Sequence, residues 1–164
     1  MDHRQAFYRQ AKSDRRLLQK LLDDPDVEPC HRLHYLQMCA EKLAKAYLTP
    51  PNGPPPPMSH AVIVRLVKSL PQTPGVRQRL GLSDTARLRA YARSLQPVAE
   101  QIERLAPALA GLNGPNAEYP WQPRPGVAVV APADHRFTRL RTNDPKVTRF
   151  LRFMDRLLAD EVLN

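Results

Sequence analysis

Glycine is scarce in this chain, with six in 164 residues and none in a GxGxxG or GxxxxGK arrangement. A backbone cradle for nucleotide phosphates of the Rossmann or P-loop type is therefore excluded. Cysteine is scarcer still. Cys30 and Cys39 fall on opposite sides of what reads as one helix, too far apart to form a disulfide. His31 and His34 stand near Cys30, but three loosely placed ligands at a helix start fall short of a zinc site. No metal and no other cofactor is expected. No apolar run approaches the ~18 residues of a membrane span. The opening MDHRQAFYRQ also lacks the apolar stretch of a signal peptide. A cytoplasmic protein with no membrane contact is expected.

Proline and arginine are plentiful. The eighteen prolines cluster, so they punctuate the chain and need not disorder it. The net charge is +9, carried largely by arginines grouped as Arg15–Arg16, Arg87–Arg89–Arg93 and Arg136–Arg139–Arg141. A guanidinium can bond two phosphate oxygens at once, so such clusters suit nucleic acid or another polyanion. The plainer reading is a solvated basic surface.

Hydrophobic periodicity gives an all-α protein of about five helices, a single domain over residues 1–164. The first helix, 3–23, carries Phe7, Ala11, Leu18, Leu21 and Leu22 on one stripe, with Asp14 in the middle of it. The second runs from about His31 to Leu48, with Leu36, Cys39, Ala40, Leu43 and Tyr47 inward. Its opposite side carries Glu41 and Lys45, an i,i+4 pair in the favourable order. TPPNGPPPPM, residues 49–58, lacks the amide donors of a helix and reads as a stiff loop. Ser59 then offers an N-cap to a short third helix bearing Ile63, Leu66, Val67 and Leu70. A fourth helical region extends from after Ser83 to about Leu112 and includes Leu109. Pro97 is expected to kink or split it. Residues 113–143 form a long proline-rich insertion, in which GVAVV and RFTRL read as a small hairpin. Asp144 and Pro145 open a closing helix over 144–163, with Val147, Phe150, Leu151, Met154, Leu157 and Leu158 inward.

This order of elements, with QMCAEKLAKAYL followed by a loop and SHAVIVRLVKSL, resembles the HEPN family of small helical bundles over about residues 5–110. Ala40, Glu41, Lys42 and Lys45 match that family's second-helix signature, and Ser59–His60 its Ser/Thr-His opening of the next helix. The resemblance implies a homodimer that binds RNA, nucleotide or a partner protein encoded nearby, in a prokaryotic defence or toxin–antitoxin setting. Ribonuclease members of the family carry Arg and then His with four to six residues between them. The imidazole moves the 2′-hydroxyl proton and the guanidinium stabilises the phosphorane. None of His3, His31, His34, His60 and His135 has an arginine at that spacing before it. A standard nuclease site is therefore absent. An active ribonuclease would need a non-standard site built on His60, or on His135 with Arg136. A pure scaffold or dimerisation module is the third reading.

Other residues stand out as ligand candidates. An unpaired carboxylate on an apolar stripe is costly, so Asp14 needs a basic partner, and the family layout implies His60 or Lys42. Such a link either fixes helix packing or forms a site between helices. Glu41, Lys42 and Lys45 form either a wet face or a surface turned toward a dimer mate or phosphates. In NAEYPWQPRP, the only Trp adjoins Tyr119, Glu118 and Arg124. Trp121 is expected to pack onto the bundle as part of a lid. The sharper reading is a platform that stacks on a base while Glu118 and Arg124 grip its polar edge.

Overall fold

The computed structural model describes residues 1–56, 59–73, 76–82, 84–111 and 113–159. Asp2 caps the first helix, α1 (His3–Asp23), by accepting from the Gln5 amide, and the Gln5 side chain returns the bond to the Asp2 amide. Pro29 opens α2 (Pro29–Leu48), two residues before the expected start, because its missing amide costs nothing in a first turn. The two helices lie side by side. Arg32 holds the end of α1 through the Asp24 and Pro25 carbonyls. The Asn52 amide, left-handed at φ 53°, donates to Asp2 and ties the proline-rich loop back to the start of α1.

The third helix, α3 (Ile63–Ser69), starts later than Ser59 can cap. Ser59 accepts only from the Ala61 amide. The first-turn amides of Ile63 and Val64 donate instead to Glu103 Oε1 at 2.7 and 3.1 Å, a cap supplied across the bundle from a later helix. A one-turn helix, α4 (Val76–Arg79), precedes α5 (Thr85–Glu103), which Asp84 caps at the Ala86 and Arg87 amides. Pro97 neither splits nor ends α5; Pro97 and Arg93, the residue whose carbonyl loses its helical bond, are both exposed. The chain breaks at residues 104–106, and α6 (Pro107–Ala110) is a separate turn whose Leu109 is exposed, not inward. Leu112 and residues 160–164 lie outside the described residues. The closing helix α7 is described over Pro145–Leu158, N-capped by Asp144.

All of the helices contribute to one core except α6. Tyr8, Leu36, Leu43, Ile63, Leu88, Leu95, Phe150 and Phe153 are among its fully buried members. Tyr8 and Phe153 extend the inward stripes of α1 and α7 beyond the residues expected. The Tyr8 hydroxyl donates to the Leu158 carbonyl and the Tyr47 hydroxyl to the Leu157 carbonyl, so α1 and α2 cap the last turn of α7. Arg15 adds a two-point bond to Asp155. The fold is all-helical among the described residues, with no strand longer than one bridged pair. No helix among them is long and apolar enough to cross a membrane.

The insertion departs from the expected hairpin. Val130, from GVAVV, exchanges backbone bonds of 3.1 and 2.9 Å with Trp121, while RFTRL forms turns. Trp121 is 5% exposed, as a lid residue should be.

Candidate functional site

Two clusters of polar side chains are assembled by this fold. The first lies between α1, α2 and the approach to α3. Gln37, Glu41 and Lys45 stack at four-residue spacing along α2. His60, on the approach to α3, reaches Glu41, and Phe7 of α1 lies by Lys45; Glu41 is only 7% exposed, so of the two readings the wet outer face is corrected. The buried carboxylate is fully occupied. Oε1 accepts from Lys45 Nζ at 2.7 Å, and Oε2 accepts from Gln37 Nε2 at 2.7 Å and meets His60 Nδ1 at 2.8 Å. Burial pushes the Glu41 carboxyl up, but the bonds from Lys45, His60 and Gln37 outweigh burial and hold it below its usual range. An ionised Glu41 fixes the proton of a neutral imidazole on Nδ1. Nε2 is then an acceptor, with no polar partner among the described residues, on a side chain 43% exposed.

Asp14 belongs to a neighbouring link, not to His60. Lys42 Nζ and Gln10 Nε2 donate to its two oxygens at 2.7 and 2.8 Å, and the residue is 6% exposed. The buried acid and its basic partner are thus as the apolar stripe requires, with Lys42 in the role. Beneath it, Cys39 donates to the Ala11 carbonyl, and burial pushes its thiol up to about 12. Cys30 and Cys39 are both free and buried. Such thiols are inert.

The second cluster is a cleft of about 790 Å³ between α5–α6 and residues 135–140 of the insertion. Arg104, Arg136 and Arg139 line it together with His135 and Phe137, and Glu100 is its acid. The three guanidiniums are exposed and make no ion pair among the described residues. His135 is wedged edge-on between the rings of Trp121, at 5.1 Å, and Phe137, at 4.8 Å. Among the described residues no carboxylate bonds to it.

The grip imagined around Trp121 does not form. The indole is buried against His135, Tyr119 stands 61% exposed, and Arg124 closes an exposed turn with Val127. Glu118 pairs instead with His34 Nδ1 at 3.1 Å, fastening the insertion to α2. Stacking on Trp121 would require an exposed face, which packing has used. Gln37 and Arg104 were not foreseen as site residues. Gln37 stands one helical turn before Glu41, which is a legible signal, whereas Arg104 is brought in only by the tertiary fold.

Comparison with protein-family models, with curated proteins and with solved structures finds no match to this chain.

Proposed function

We propose that this is a HEPN-like helical domain, cytoplasmic and homodimeric, that binds RNA or nucleotide phosphates in a prokaryotic defence or toxin–antitoxin setting. Ala40, Glu41, Lys42, Lys45 and Ser59–His60 support the family and its setting. The observation that carries the binding is the 790 Å³ cleft lined by Arg104, Arg136 and Arg139, none of them ion-paired among the described residues. Three arginines that share the single acid Glu100 and form no ion pair among the described residues repel one another, and a phosphate ligand relieves that repulsion.

The test is titration of a labelled single-stranded RNA at two salt concentrations. With roughly four phosphate contacts, the slope of log K on log salt is about −3, so raising salt from ~50 to ~200 mM weakens binding about fiftyfold. No binding at low salt, or binding indifferent to salt, rejects this function in favour of the scaffold.

The Glu41–His60 pair favours a second reading, in which the protein also cuts RNA at a non-standard site. His60 Nε2 would take the 2′-hydroxyl proton as that oxygen attacks phosphorus. The 5′-oxygen would leave with the bonding electrons and take a proton from solvent. His135 is the poorer base, since rings and not a carboxylate hold it. The expected result is slow cleavage to 2′,3′-cyclic phosphate ends in the presence of a chelator. It should be lost in His60→Ala and reduced on the order of a hundredfold in Glu41→Gln. Intact RNA on a denaturing gel, or cleavage unchanged in His60→Ala, rejects the nuclease and leaves the binding function standing.

A further inference from the structure

The arginine-lined cleft shares a wall with another. Residues 136–138 and 140 border a second cleft of about 510 Å³ on the side of α2, lined also by Arg32, Arg141, Thr142 and Asn143. Arg136, Phe137, Thr138 and Leu140 line both clefts, and no carboxylate lines the second. The stretch between them is fixed from both ends. Leu140 is buried in the core, and Phe137 packs on the core and against the His135 ring. Arg136, Arg139 and Arg141 point outward from this anchored ridge and are all exposed.

We infer that the two clefts form one track for single-stranded RNA, whose backbone crosses the ridge at Arg136 with a cleft occupied on either side. The inference deepens the RNA-binding function and rests on it. Each cleft has the volume of a site for one small ligand, within the ~300–1,000 Å³ of such pockets. A mononucleotide therefore engages one cleft and leaves the other's guanidiniums unanswered, whereas a flexible strand reaches both. Arg136, common to both walls, then meets the phosphate at the crossing. Thr138, Thr142 and Asn143 offer neutral bonds to sugar and phosphate oxygens and add no charge. The polar contacts are not matched to base edges, so the strand is held with little sequence preference. A rigid duplex cannot bend its backbone over a ridge into two clefts, so single strands are favoured.

The experiment uses oligouridylates from the dinucleotide to about sixteen nucleotides, within the range of single-strand site sizes. Binding is read for the full chain and for Arg139→Ala in the first cleft and Arg141→Ala in the second. Both side chains are exposed and unpaired among the described residues, so thermal unfolding should match the parent. Arg32 is left intact because it holds the end of α1. Affinity should rise with length and then level off. Each variant should weaken an oligomer at the plateau by about three- to tenfold and make its salt slope shallower by about 0.7. The dinucleotide should respond to one variant alone. A plateau already reached at the dinucleotide, an effect of one variant only on long oligomers, or equal affinity for duplex RNA overturns the track while the RNA-binding function survives. Absence of salt-sensitive binding at every length overturns both.

Discussion

Replacing Glu41 by alanine is expected to destabilise the protein by about 3–5 kcal/mol, the range for removing one partner of a buried ion pair. The carboxylate receives Lys45, Gln37 and His60, and all three lose their acceptor together. Lys45 can recover little from water, since its side chain is 12% exposed, whereas His60, at 43%, can turn outward. Urea unfolding of the two proteins measures the difference. Its pH dependence gives a second readout. Because the folded carboxylate holds its proton less readily than the unfolded chain, acidification favours the unfolded state. Glu41's contribution is fully present above the ordinary glutamate pKa and is lost as pH falls through the lower folded value. The gap between parent and Glu41→Ala should therefore narrow in acid. The lowered Asp2 and Asp84 carboxyls remain in both proteins and cancel from the difference. A gap under about 1 kcal/mol at neutral pH, as for exposed pairs, would place Glu41 in water after all.

Trp121→Ala should open the insertion rather than the bundle. The indole is the largest buried side chain of the 113–143 segment, and removing a buried aromatic of that size costs about 3–5 kcal/mol. Its other ties include the Trp121–Val130 backbone pair, the His34–Glu118 ion pair, the Ala117 amide on the Leu105 carbonyl, and Phe137 and Leu140 at the core. The cost therefore falls on local opening, and the global unfolding midpoint moves less than the local stability does. Limited proteolysis at Arg124, Arg136 and Arg139 should accelerate on the order of a hundredfold, while the helices stay protected. RNA affinity should fall as well, although no arginine is changed, because residues 135–140 are the wall of the cleft. Unchanged proteolysis with a lowered global midpoint would show that Trp121 supports the bundle itself.

The helices are legible because each buries a stripe, and a stripe repeats every 3.6 residues. Asp14 is the clearest case. A carboxylate in the middle of an apolar stripe demands a cation, and Lys42 supplies it. Trp121 was legible on the same ground, as an indole that proline-rich turns could not leave in water. What periodicity hides is what another element covers. Along α2 alone Glu41 belongs to the polar side, and only the tertiary fold, which brings His60 onto it, shows that it is buried. In the same way the cap of α3 comes from Glu103, forty residues downstream of Ile63, and the strand partner of Val130 is Trp121 rather than RFTRL. The candidate cleft was half visible. Arg136, Arg139 and Arg141 stand together in the chain, whereas Arg32 and Arg104 reach the same surface only through folding.

The measurement that bears most directly on the binding function compares two variants of equal charge. Arg136→Ala removes the guanidinium common to both clefts, and Arg16→Ala removes an exposed one on α1 that lines neither. At fixed moderate salt, Arg136→Ala should weaken single-stranded RNA binding about tenfold, as expected for loss of a charge-assisted, two-point phosphate contact. Arg16→Ala should leave it within about twofold, since an exposed charge that lines neither cleft makes no phosphate contact there and is screened by salt. Equal losses in the two variants would contradict a site at the cleft and reduce the interaction to the chain's overall positive charge.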